Sequence, residues 1–322
     1  MVKNPNAVFL DKSSLYPDDL DFSVLEKVAH WQWFEKGFDA ADPGDIQHSL
    51  KNAEILVTNK VLISSGVIAN CKQLKLICVA ATGVNNVDLE AAEKQGVQVC
   101  NVRAYATSSV VQHVFSLILT LNRKLLSYSK AANGDWSHSD YFCYFGEPIS
   151  ELQGKTLGII GYGELGKAVA EVAKCFGMNV LVGKRDATDS RPEREDLAAL
   201  LAVSDVVSLH CPLTENNFHM IGSSEFELMK SDALLINTAR GGLIDEQALL
   251  YALDNKQIGA AALDVLEEEP PSVDNALINY RSDNLLITPH VAWASRESRQ
   301  RLVNEIAENI QSFQQGEPRN IV

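Results

Sequence analysis

The chain has 322 residues, 46% hydrophobic and 22% charged, an ordinary globular composition at a length that suggests about two domains. Its formal net charge of -14 repels nucleic acid and anionic membrane surfaces, so neither is expected as a partner.

Short apolar or β-branched runs alternate with helical patterns almost throughout. Strands are predicted at 54–58, 76–80, 97–100, 156–160, 179–182, 206–209, 233–237, 259–263 and 285–287. The run 110–121 is interrupted by Gln112, His113 and Ser116, so it is too short and too polar to span a bilayer and reads as a helix buried in protein. The stretch 136–153 is aromatic and irregular, breaks the rhythm, and is the best internal boundary that the pattern offers. A helix over 165–176 places Leu165, Val169, Val172, Ala173 and Phe176 on one face. Another over 245–255 has Asp245 as its N-cap. The last, over 295–313, has Ser295 as cap and Leu302, Ile306, Asn309, Ile310 and Phe313 along one stripe. This alternation predicts an α/β fold with parallel sheets and helices on both faces. Cys71, Cys78, Cys100, Cys143, Cys175 and Cys211 form no C-x-x-C pair and no zinc-like spacing, so no metal is expected. Most lie in or beside apolar runs and read as reduced core thiols of a cytoplasmic protein. The start, MVKNPNAVFL, lacks the long apolar stretch of a signal peptide.

The strongest local signal is the strand at 156–160 running into Gly161-Tyr162-Gly163-Glu164-Leu165-Gly166 and then a helix. Gly161 permits a tight turn, Gly163 lets backbone approach a pyrophosphate, and Gly166 allows close helix–strand packing. The helix N-terminus then offers free N–H groups to the anion, and the flanking strand and helix are the context that gives such a motif its meaning. The next strand exits at Lys184 and Arg185, where a dinucleotide site carries either a carboxylate for the ribose 2'-OH or a basic group for a 2'-phosphate. The basic pair favours NADP(H); the alternative is NAD(H), with Asp186 taking the ribose.

Ligands of an open parallel sheet bind beyond the carboxyl ends of its strands. Four runs end there in polar or reactive residues: His210, Arg240, Asp264 and His290. An arginine grips a carboxylate with two prongs and polarises a carbonyl, and a histidine exchanges a proton near neutrality. Each residue alone reads equally well as a cap, an ion pair or a core histidine. Their joint placement suits hydride transfer to a keto acid, with Glu269 able to orient the histidine.

These stretches resemble the D-2-hydroxyacid dehydrogenase family, most clearly from Ile77 to Gln314. The stretch 236–253 (INTARGGLIDEQALLYAL) is similar to a family signature carrying the catalytic arginine, here Arg240. The stretch 260–271 (AAALDVLEEEPP) is similar to the next, with Asp264 as the cofactor-contacting aspartate and Glu269 as the glutamate paired with the catalytic histidine, His290, of 287–293 (ITPHVAW). The loop 80–89 resembles the substrate-carboxylate loop, which implies Thr82 and Gly83 as backbone donors alongside Arg240. The resemblance adds Thr107, His210, Pro212, Thr238, Ala239, His290 and Ala292 to the cofactor-facing positions. Within the family, 144–170 and 289–302 look closest to the glycerate dehydrogenases, or hydroxypyruvate reductases. Other family dehydrogenases (phosphoglycerate, formate, phosphite) and a cofactor-sensing corepressor are the alternatives. Lys184 stands where the family usually has an acidic residue, Gln112 where a glutamate is common, and Thr82 where a small apolar residue is common.

The fold implied is two Rossmann-like domains. A discontinuous, flavodoxin-like substrate domain takes 1–102 and 291–322, and the NAD(P)-binding Rossmann domain takes 103–290. A homodimer packed through the helix at 105–119 is implied too, with a small 2-keto or 2-hydroxy acid as substrate and domain closure excluding water before hydride transfer.

Overall fold

The computed structural model describes residues 4–35, 50–185 and 188–322, so Asp186 lies outside the described residues. The chain forms two compact units, Met1–Ala106 with Trp293–Val322, and Thr107–Ala292. The crossings fall at 106/107 and 292/293 rather than at 102/103 and 290/291. Local contacts explain the offset: the Tyr105 ring meets Trp293 edge-on at 6.4 Å, and its carbonyl accepts from Arg301 Nε at 2.8 Å. The irregular stretch 136–153 lies inside the second unit and bounds nothing.

The first unit holds strands β1 (Asn6–Phe9), β2 (His30–Trp33), β3 (Ile55–Thr58), β4 (Leu76–Val79) and β5 (Gln98–Cys100), in the order β2-β1-β3-β4-β5. All pairings are parallel, which is the flavodoxin-like order. β3 and β4 are buried at every position, as a sheet covered on both faces requires. β1 and β2 escape a pattern search: β1 is four residues long and β2, His-Trp-Gln-Trp, only alternates between exposed and half-buried. The Arg296–Gln314 helix closes this unit, with Ser295 accepting from the Ser298 N–H as its cap. It buries Leu302, Ile306 and Ile310, while Asn309 on the same stripe donates to the Asn101 carbonyl at 2.9 Å.

The second unit opens with the Thr107–Asn122 helix and contains β6 (Thr156–Ile160), β7 (Asn179–Val182), β8 (Val206–Leu209), β9 (Leu234–Asn237), β10 (Ala260–Leu263) and β11 (Leu285–Ile287). Their order is β11-β10-β9-β8-β6-β7, all parallel. Beyond β7 a further strand is reduced to one bridge, Gly183 to Glu195, so the sheet keeps the Rossmann order with that strand vestigial. β6 has β7 on one side and β8 on the other, which makes the ends of β6 and β8 the switch point of the sheet. The core joins Val207, Leu209, Leu235, Ala261 and Leu263 to helix residues such as Leu200, Phe226 and Leu249.

Two residue-level expectations are corrected. Phe176 is not on the buried face of its helix but caps it, 39% exposed and stacked on Phe115. The cysteines are all free, but only Cys71, Cys78 and Cys100 are buried; Cys175 is exposed at the end of a helix. Among the described residues no helix is long and apolar enough to cross a membrane, and no group of His, Cys, Asp and Glu could hold a metal ion.

Candidate active site

The glycine loop shows three different uses of one residue type. Gly161 has φ +94°, and a Cβ there would lie 2.5 Å from His210 C and Cys211 N, so β6 and β8 exits touch backbone to backbone. A Cβ on Gly166 would lie 2.1 Å from the Gly161 carbonyl oxygen, which fixes helix against turn. A Cβ on Gly163 would meet nothing within 4 Å, so the loop faces open space there. Gly163 is also the N-cap of the Glu164–Cys175 helix, and no side chain caps its first N–H groups. These donors, with the positive end of the helix dipole, make the loop electrostatically suited to an anion such as a pyrophosphate. Tyr162 and Leu165 are half-buried, and Glu164 is exposed and accepts from the Thr107 hydroxyl.

Beside this loop, His210 directly follows β8 and Thr238 directly follows β9. Leu209 pairs with Asn237, so the two residues leave neighbouring strands side by side. His210 Nδ1 and Thr238 Oγ1 are buried polar atoms with no partner among the described residues. Such orphans are uncommon in a folded chain and mark a place where a ligand supplies the missing partner. Burial pushes the His210 imidazole down to about 4, so it stands neutral, 2.9 Å from the Ser208 hydroxyl. Pro212 is exposed, and its carbonyl accepts from Asn217. An open cradle, an uncapped helix and two orphaned polar atoms fit a dinucleotide.

The segments after the next three strands carry ionisable side chains. Arg240 follows β9 in a turn built by the buried Asn237, whose side chain accepts from Ala239 N at 3.0 Å and donates to Arg240 O at 2.8 Å. Arg240 itself is half-buried, with Nη1 donating to the Ala239 carbonyl. Gly241 lets this turn lie against the loop after β10: a Cβ there would sit 1.9 Å from Leu266 C and 2.3 Å from Glu267 N. That loop carries Glu269, which accepts from Leu266 N through Oε1 at 3.0 Å and meets His290 Nδ1 through Oε2 at 2.6 Å. One carboxylate oxygen therefore fixes the glutamate to its own loop while the other holds the imidazole through Nδ1.

Asp264 organises the segment behind His290. It is 1% exposed, and its carboxylate accepts from Thr288 Oγ1 (2.6 Å), Val291 N (2.9 Å) and Ala292 N (2.8 Å). Its carbonyl accepts from His290 N at 2.8 Å, where His290 sits at φ +53°. A non-glycine residue at positive φ is held against a cost of about 1–2 kcal/mol, here by four hydrogen bonds to one aspartate. Ala292 is buried with both backbone groups engaged, its carbonyl accepting from Ser109. Sequence reasoning named Asp264 for a cofactor contact; its geometry adds a structural duty, and the partners Thr288, Asn237 and His113 were missed. A lone Thr or Asn at a strand end carries no periodic signal, although the buried Asn closing an apolar strand is a hint of a capped turn.

Lys184 follows β7 as anticipated, but its ammonium is bound to Asp196 at 2.8 Å, and this contact raises its pKa. Arg185 donates its backbone N–H to Asp189. Arg194 lies over the Tyr162 ring at 4.7 Å, a further cation at this end of the loop. In the first unit, Thr82 and Gly83 follow β4. The Thr82 hydroxyl donates to Val102 O at 2.9 Å, and its carbonyl accepts from Asn101 at 2.7 Å, so the hydroxyl that departs from the family pattern is spent within the fold.

Residues 115–292 match the NAD-binding domain of the D-isomer specific 2-hydroxyacid dehydrogenases. The chain is 43% identical over 318 residues to the glycerate dehydrogenase of Methylorubrum extorquens, covering 98% of each. It is 35% identical over 320 residues to the hydroxypyruvate reductase of Blautia hydrogenotrophica, again covering 98% of each. Among solved structures it is similar to an acyclic imino acid reductase in complex with NADPH and D-Arg, at TM-score 0.86 and 29% identity over 98% of this chain and 99% of that one. Fold order, strand-end chemistry and these likenesses agree, and the chain belongs to the D-isomer specific 2-hydroxyacid dehydrogenase family.

Proposed function

We propose that this dehydrogenase is a glycerate dehydrogenase that works as a hydroxypyruvate and glyoxylate reductase. The observation that carries the proposal is the 2.6 Å Glu269–His290 pair, one strand away from Arg240 in its built turn. The likeness to a glycerate dehydrogenase at 43% identity over nearly the whole chain supports the substrate class. The Gly161–Gly166 loop, His210 and Thr238 hold the cofactor, which supplies the hydride. Arg240 binds the keto acid's carboxylate and steadies the charge that grows on the carbonyl oxygen. His290, oriented by Glu269, delivers the proton to that oxygen, and takes it back in the oxidation of the hydroxy acid.

NADP(H) is the preferred cofactor in this reading. The neighbouring structure with NADPH supports it, as do the cations Lys184, Arg185 and Arg194 at the far end of the loop. The second unit also exposes Leu125, Leu126, Trp136, Tyr141, Phe142, Phe145 and Ile149, with Phe142 92% and Phe145 83% accessible. An apolar surface of this kind marks an interaction site, and a second copy of the chain covers it in a homodimer. Six free cysteines agree with a cytoplasmic setting.

The deciding experiment is a matrix of NADH and NADPH against hydroxypyruvate, glyoxylate, pyruvate and longer keto acids, followed by loss of reduced-nicotinamide absorbance. Fastest turnover on hydroxypyruvate supports the assignment. Turnover confined to longer keto acids moves the enzyme elsewhere in the family. Sedimentation at micromolar concentration tests the dimer, and a monomer refutes it.

A further inference from the structure

The loop bearing His290 hangs on Asp264, and one more side chain reaches this assembly from a different element. His113, on the Thr107–Asn122 helix, places Nε2 2.9 Å from Thr288 Oγ1 and 3.5 Å from Asp264 Oδ1. Thr288 Oγ1 in turn lies 2.6 Å from Asp264 Oδ1. The directions of these bonds follow from counting protons. A carboxylate only accepts, so the single hydroxyl proton of Thr288 goes to Asp264. The Thr288 oxygen must then accept from His113, which puts the imidazole proton on Nε2. The chain of donors runs one way, from His113 to Thr288 to Asp264, and ends on the carboxylate that holds Val291 N and Ala292 N.

We propose that His113 is a positioning residue for the reaction. Its ring locks the Thr288 hydroxyl toward Asp264 and so fixes the 288–292 segment that presents His290. A free hydroxyl rotor has several orientations; with the imidazole in place, one of them satisfies both neighbours. The His113 side chain is 19% exposed and comes from a helix that also touches the carbonyl of Ala292 through Ser109, so the helix grips the segment at both ends. The backbone of His290 at φ +53° gives this grip something to hold, since a loosened segment relaxes away from that conformation. The inference rests on the reading of His290 as the proton donor and acceptor.

The test uses the full-length chain with hydroxypyruvate and the better of the two cofactors. His113→Leu and Thr288→Val are each expected to lower kcat about tenfold or more, the scale of a catalytic group displaced by a fraction of an ångström to one ångström. KM for the keto acid and the cofactor Kd stay within about twofold, and the double variant is no worse than either single one, as for two parts of one relay. His113→Gln, whose amide N–H reaches the same oxygen, restores most of the rate. His290→Gln runs alongside as a reference. If His113→Leu and Thr288→Val keep wild-type kcat while His290→Gln loses it, the positioning role is refuted and the assignment of His290 stands. If His290→Gln is as active as wild type, the assignment itself falls and takes this proposal with it. If His113→Leu does not fold, Thr288→Val decides on the same criterion. If His113→Gln loses rate and melting temperature as His113→Leu does, the role is structural only and the proposal is overturned.

Discussion

Alanine at each glycine of the Gly161-x-Gly163-x-x-Gly166 loop separates what holds the fold from what holds the cofactor. At Gly166 the new methyl would lie 2.1 Å from the Gly161 carbonyl oxygen, over an ångström inside ordinary contact and against backbone that cannot swing aside. Overpacking of that kind costs about 1–3 kcal/mol. For a unit of this size each kcal/mol moves Tm by about 2–4 °C, so Gly166→Ala lowers the melting temperature of the cofactor-free protein by several degrees. Gly161→Ala does at least as much, because its φ of +94° is strained for alanine and its methyl would press on His210 and Cys211 backbone. Gly163→Ala meets nothing within 4 Å and has a negative φ of -76°. The small penalty of alanine at an N-cap and the gain from stiffening the unfolded chain are each below about 1 kcal/mol and oppose one another. Its Tm therefore stays within about 2 °C. Its methyl occupies the open space in front of the helix N-terminus, so the cofactor Kd rises about tenfold or more, or about 1.4 kcal/mol. Scanning calorimetry of the cofactor-free protein and fluorescence titration with NADPH and NADH measure both quantities. If Gly163→Ala melts as low as Gly166→Ala, or binds cofactor as wild type does, the loop is not the cradle described here.

Three further expectations follow from particular groups. His210 has a folded value of about 4 against an ordinary 6.5, so the unfolded chain binds a proton that the folded chain refuses. Its contribution is whole above 6.5, is lost as pH falls from 6.5 to about 4, and amounts to at most about 3 kcal/mol; urea melts at pH 7 and pH 4 should show that much less loss in His210→Gln, and an identical loss refutes the burial argument. Arg240→Lys keeps the charge but not the two-pronged geometry, so kcat/KM falls about a hundredfold or more with cofactor Kd unchanged; near-wild-type turnover would remove Arg240 from the mechanism. Lys184→Ala raises the Kd for NADPH about tenfold and leaves NADH alone, if the cation meets a 2'-phosphate at the cost of its pairing with Asp196; equal effects on both cofactors dispose of the phosphate site.

Much of the architecture is written locally. Every strand from β3 to β11 was legible in the sequence, and β3, β4, β8, β9 and β10, buried at every position, are so because parallel strands covered on both faces need near-continuous hydrophobicity. The helices beginning at Glu246 and Arg296 announce themselves through Asp245 and Ser295, whose side chains accept first-turn N–H groups where the sequence placed the caps. β1 and β2 are illegible because four residues, buried at three consecutive positions in β1 and at none in β2, offer too few positions to show a period. The division of the chain was legible only through the family resemblance, since the visible break in rhythm at 136–153 lies within one unit.

For the site, the sequence by itself determined the glycine loop and the order of Arg240, Glu269 and His290, since turn chemistry and reactive residue types at strand ends are local properties. Only the tertiary structure decided which partners make them work. Lys184 is engaged by Asp196, twelve residues on, and the Asp264 carboxylate accepts from Thr288, Val291 and Ala292. His113 reaches Thr288 across 175 residues of chain. Hydrogen bonds between distant segments depend on where the fold brings each end, and no spacing along the chain encodes that meeting.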